Sequence, residues 1–63
     1  MNWINVNDAL PEHERDVLAW SNKTFYVANF SQITRRFYCS FDNDRIDNVT
    51  HWCEITPPQE NHD

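Results

Sequence analysis

Sixty-three residues, a net charge of −5 and not one glycine bound this chain before any motif is read. They exclude a second domain, glycine-rich phosphate loops, and non-specific attraction to nucleic acid or an anionic membrane. Three Trp, two Tyr and four Phe supply the apolar mass that a chain able to bury only about 60% of its unfolded surface requires.

Without glycine, left-handed backbone positions fall to Asn and Asp. Asn22, Asn43, Asp44, Asp47 and Asn48 stand where turns are expected. No apolar run approaches the roughly 18 residues of a membrane helix, and Met1 to Asn5 carry no basic and apolar leader. The expectation is a cytoplasmic protein with Cys39 and Cys53 reduced.

In chain order, the first segment is an arm with Trp3, Ile4, Val6 and Leu10 as its apolar residues. Ile4 and Val6 alternate like a short strand, Asn7-Asp8 offers a turn, and Pro11 pushes Leu10 towards an extended conformation. The arm is expected to cover one face of a sheet, with Trp3 as its anchor. Residues 12–16, E-H-E-R-D, form a charged loop. Residues 16–20 read as the first clear strand, Ser21-Asn22-Lys23 as a turn, and residues 24–31 as the second strand of a hairpin. The stretch 31–38 bends the chain or holds a helical turn. Residues 35–41 read as the third strand, and 42–48 as turn chemistry throughout.

The chain is organised around its last strand, residues 49–55, V-T-H-W-C-E-I, which is rich in β-branched and aromatic side chains. Pro57-Pro58 closes it, because proline cannot donate ladder hydrogen bonds. Trp52 and Trp3 are expected to meet, joining the two termini. The prediction is a mainly β domain over residues 1–58, with α+β as the alternative if the stretch 31–38 holds helix: one small antiparallel sheet of three to four strands with an N-terminal arm packed on it. Residues 59–63 form a frayed polar tail. Trp3, Val17, Phe37 and Trp52 are the expected core.

Alternation assigns the faces. Tyr26, Ala28 and Phe30 oppose Phe25 and Val27; Phe37, Cys39 and Phe41 oppose Tyr38; Val49, His51, Cys53 and Ile55 oppose Trp52. Both faces are therefore partly apolar. The arm can cover only one, and aromatics left exposed on the other mark a partner or dimer surface.

The motifs W-I-x-V (Trp3, Ile4, Val6), L-P-E (Leu10 to Glu12), V-L (Val17, Leu18) and V-T-H-W (Val49 to Trp52) before Pro57-Pro58 carry a resemblance. From Trp3 to Pro58 the chain resembles a family of small bacterial and phage-encoded domains of unknown function, the five-fifty-one family. The family pattern continues after T-H-W with a hydrophobic residue, a proline and L-P; Cys53, Glu54, Ile55 and Thr56 stand there instead. The resemblance implies a phage, prophage or mobile-element setting and no particular chemistry.

Three constellations are candidates for function. His51, Cys53 and Cys39, with His13 and His62, are the one conceivable metal set, but zinc wants four ligands and the chain has no C-x-x-C. The bland reading, two small buried cysteines and a hydrogen-bonded His51, is preferred to zinc and to a Cys39–Cys53 disulfide. Cys53 with His51 as its base lacks a third group to orient the base. Two acidic clusters, Glu12, Glu14 and Asp16, then Asp42, Asp44 and Asp47, suit contact with a partner or imitation of nucleic-acid phosphates, although Arg15 and Arg45 interrupt them. Tyr38, projecting from the third strand, joins these six as a partner-binding candidate. The expected function is that of a non-enzymatic accessory protein without cofactors. It would bind, and in binding inhibit, a host protein complex such as a defence system, or pair with a second copy of itself. The alternatives are an acidic nucleic-acid mimic and a small metal or enzymatic domain built on His51 and Cys53. Direct binding of nucleic acid or membrane is not expected.

Overall fold

The structure, a computed structural model, describes residues 2–56. Pro57-Pro58, the tail over residues 59–63 and His62 lie outside the described residues. The elements are β1 (Ile4–Asn5), β2 (Asp16–Ser21), β3 (Thr24–Ser31), β4 (Arg36–Cys39), β5 (Arg45–Ile46) and β6 (Val49–Glu54). They form one six-stranded sheet in the order β1-β6-β2-β3-β4-β5, with every neighbouring pair antiparallel. The fold is mainly β, as the sequence predicts, with two more strands than expected. Both additions are two residues long: β1 takes up part of the arm whose alternation resembles a short strand, whereas β5 is too short for alternation to reveal. One of them, β5, lies inside the stretch read as turn throughout.

The hairpin of β2 and β3 closes through two residues, Asn22 and Lys23, with Ser21 opposite Thr24. Their φ angles, 50° and 65°, are both positive, as the primed turns that match strand twist require. Asn43 and Asn48 also take positive φ, as expected of asparagine, but Asp44 and Asp47 do not. Glu14, Lys23 and Arg35 fill the remaining left-handed positions. At Arg35 the reason is local: its N–H donates to the Ser31 carbonyl at 2.7 Å, closing one wide turn between β3 and β4. The third strand therefore starts at Arg36 rather than at residue 35.

Residues directly opposite in neighbouring strands share a face. One face carries Ile4, Trp52, Ala19 and Tyr26, then Val17 and Ala28, then Phe30, Phe37 and Ile46. Val17, Ala19, Ala28, Phe30, Phe37 and Trp52 form the buried cluster, so Val17, Phe37 and Trp52 are core as expected. Ala19 stands directly opposite Trp52, and its single methyl leaves room for the indole. The arm crosses this face: Val6 packs against the cluster, Pro11 is buried, and the Trp52 indole N–H donates to the Ala9 carbonyl at 2.9 Å. A turn at residues 6–8 starts the crossing, with the Asn5 carbonyl accepting from Asp8 and Ala9. The arm ends at a parallel bridge between His13 and Phe30.

Trp3 is not part of this core. The termini do meet, since Ile4 pairs with Trp52, but the Trp3 indole lies half-buried on the opposite face, against Trp20 and Phe25. The arm is instead held by Val6, Pro11 and the Ala9 carbonyl.

The expected faces need two further corrections. In β6 the register shifts, because Trp20 faces His51 while Ser21 faces Val49. Thr50 is the extra residue of a bulge, which adds one residue and changes the alternation. Val49 therefore packs against the core, while His51 follows Trp20 to the other face. Phe41 lies beyond β4, which ends at Cys39, and is 84% exposed. The turn there is closed by bonds between the Cys39 carbonyl and Asn43 N–H and between Cys39 N–H and the Asp44 carbonyl, both 2.8 Å.

Candidate functional site

The outer face of the sheet carries the second aromatic assembly. The two-residue hairpin turn puts Trp20 directly opposite Phe25, and the pairing of β2 with β6 adds His51 beside Trp20. Trp3, the residue just before β1, reaches over from the edge beside β6. The Trp20 and Phe25 centroids are 5.1 Å apart with planes at 70°, an edge-to-face pair. Trp3 meets Trp20 edge-on at 6.2 Å and stacks on Phe25 at 6.0 Å with 19° between the planes. Both geometries suit aromatic quadrupoles. Phe25 stays 57% exposed. Trp3, Trp20, Phe25 and His51 line a shallow concavity of about 410 Å³. The His51 Nδ1 lies 2.9 Å from the Thr50 hydroxyl, which fixes the ring beside the indoles.

Trp20 and Phe25 were not among the sequence-predicted site residues. The signal for them was the turn. A two-residue connection after Ser21 places Trp20 against Phe25, whereas a turn begun at Ser21 hides that pairing.

The one conceivable metal and thiol set does not come together among the described residues. His51 and Cys53 share a face as expected, but β4 and β6 do not pair, because β2 and β3 stand between them. Cys39 is opposite Ala28 on the core side, whereas Cys53 is opposite Leu18 on the outer side. Three strand spacings put the cysteines roughly 14 Å apart, beyond the reach of a disulfide, and both are free thiols. Among the described residues no three His, Cys, Asp or Glu side chains gather at metal-binding distance. Burial pushes the Cys53 thiol above its ordinary pKa, with Glu54 adding to the effect. A nucleophilic cysteine needs the opposite shift.

The acidic candidates are placed but divided. Arg15 lies 2.6 Å from Glu54 and 3.9 Å from Glu12, and Glu14 lies 3.7 Å from His13. Asp16 accepts from the Ser40 hydroxyl at 2.8 Å, and that hydroxyl accepts from Asn29. Asp42, Asp44 and Asp47 line a second concavity together with Arg45, which lies 3.0 Å from Asp47. The Asp44 N–H donates to Asp42 at 3.0 Å. That bond, helped by the Cys39 thiol, holds the Asp42 carboxyl below its usual pKa. Each cluster thus holds its own arginine, which breaks the negative field a phosphate mimic needs. Tyr38 shares the outer face with Asp16 through Asn29, and its hydroxyl lies 2.9 Å from that of Thr34.

The family model described as a protein of unknown function, DUF551, matches residues 2–59. The chain belongs to this family. The match takes in the whole sheet and both aromatic faces. No curated protein and no solved structure matches the chain significantly. Among the described residues no helix is long and apolar enough to cross a membrane.

Proposed function

We propose that this DUF551 member is a non-enzymatic binding module of the phage or prophage accessory kind. It grips a host protein complex in the cytoplasm through the face built by Trp3, Trp20, Phe25 and His51. One observation carries the reading: a second aromatic cluster lies outside the core, on the face that the arm leaves uncovered, with Phe25 57% exposed. Aromatic side chains in such positions dominate the energetics of protein interfaces. The buried thiol of Cys53, with its raised pKa, argues against that thiol as a nucleophile. A defence complex is one host target that such a module would block.

The test is capture from host lysate by the parent chain and by Phe25→Ala, each at low and high salt. A partner retained at high salt by the parent and lost with Phe25→Ala supports the reading. A partner that binds Phe25→Ala equally and dissociates as salt screens charge over about 8–10 Å places the contact on the acidic clusters instead. Substrate turnover that His51→Ala abolishes overturns the binding role.

A further inference from the structure

We infer that the partner's contact with the outer face is an arginine side chain, its guanidinium stacked on the aromatic cluster beside His51. The inference rests on the proposed binding role and names the chemistry of its contact. Aromatic faces carry negative quadrupole potential and attract cations, and the whole chain carries a net charge of −5. Among the described residues no arginine or lysine lines the concavity. Lys23, in the adjoining hairpin turn, is long and exposed and can swing clear.

The spacing of the rings selects the kind of cation. An ammonium or methylammonium group is bound best when aromatic walls surround it. Here the three centroids lie only 5.1, 6.0 and 6.2 Å apart, with the rings packed on one another, so no group fits between them. What remains is the outward surface of the cluster, bordered by His51. A planar guanidinium stacks on such a surface, whereas a compact, strongly hydrated ammonium gains little from it. If His51 donates from Nδ1 to the Thr50 hydroxyl, Nε2 is an acceptor for a guanidinium N–H.

The probes are three peptides: acetyl-Gly-Arg-Gly-Arg-Gly-amide, its citrulline analogue of nearly the same shape without the charge, and its lysine analogue. The readout is the set of three indole N–H signals of the intact chain in a nitrogen–proton correlation spectrum. The expected result is saturable movement of the Trp3 and Trp20 signals with Trp52 unmoved. The arginine peptide should bind about two- to fivefold more tightly than either analogue, the size of an exposed cation–π contact. Phe25→Leu, which keeps an apolar side chain at an exposed position, should remove that preference. Equal binding of the arginine and citrulline peptides, or movement at neither Trp3 nor Trp20, overturns the inference. A partner captured in lysate through Phe25 would then leave the binding role standing without its arginine. Loss of both results removes the role as well.

Discussion

The two faces of this sheet use the same kind of residue to opposite ends. On one face Trp52 lies 5% exposed over Ala19, its indole N–H taken by the Ala9 carbonyl of the crossing arm. On the other, Trp3 and Trp20 pack with Phe25, and more than half of the Phe25 surface stays in water. The difference is the cover. A chain of this length can pull one arm across one face, and the aromatic pairs on the second face gain only from one another. An aromatic cluster therefore marks a core where a polar backbone group reaches in to satisfy it. It marks a candidate contact surface where its rings stay open.

The largest test of this contrast is Trp52→Ala. Removal of a buried indole costs about 3–5 kcal/mol, as much as the whole stability a domain of this size commands. The variant should be largely unfolded without denaturant, as read by circular dichroism and urea titration. A melting temperature within a few degrees of the parent would show that the arm-covered face is not the main core.

Phe25→Ala should behave in the opposite way. It forfeits two aromatic contacts, worth roughly 0.5–1.5 kcal/mol each, so the variant should stay folded but melt below the parent by roughly 4–8 °C for each kcal/mol lost. Its main loss should be capture of the partner. If Phe25→Ala destabilises the chain as much as Trp52→Ala, the outer cluster is a second core and the distinction between the faces fails.

Much of the covered face was legible in the sequence. Val17, Phe37 and Trp52 lie at alternating positions of recognisable strands, and period-two patterning reports burial directly. The open face was legible only as surplus. Trp20 needs the hairpin register, and the expectation that Trp3 meets Trp52 puts Trp3 on the wrong face. Its neighbour Ile4 does pair with Trp52, but adjacent residues in a strand point to opposite faces. The placement of β6 between β1 and β2 could not be read, because strand order depends on long-range pairing rather than on local pattern. The same insertion dissolved the Cys39, His51 and Cys53 set. The bulge at Thr50 has no local signal either, since it comes from the register of β2 against β6.

A smaller effect tests the backbone that creates the open cluster. Lys23 sits at φ 65° in a chain without glycine, and the left-handed region costs a residue with a Cβ about 1–2 kcal/mol. Lys23→Gly restores the preferred Asn-Gly pair for such a turn. It should raise the urea midpoint, with a gain of up to about 1 kcal/mol once the extra freedom of glycine in the unfolded chain is set against it. Because the turn fixes Trp20 opposite Phe25, the Trp20 indole signal should stay in place. A lower midpoint would mean that the Lys23 side chain makes a contact outweighing its backbone cost.

The smallest expected effect belongs to Asp42, at the far end of the sheet from β1 and exposed to solvent. The Asp44 N–H and, after it, the Cys39 thiol stabilise its ionised form and lower its pKa from 3.8. A carboxyl whose pKa is lower folded than unfolded binds fewer protons in the folded state, so its contribution is present above pH 3.8 and is lost as pH falls through the folded value. Denaturant midpoints should therefore decline more steeply below pH 4 in the parent than in Asp42→Asn, which keeps an oxygen to accept from Asp44 but cannot titrate. Above pH 5 the two midpoints should differ by a constant amount. Parallel curves through the acid range would show that the Asp44 bond does not distinguish the folded from the unfolded chain.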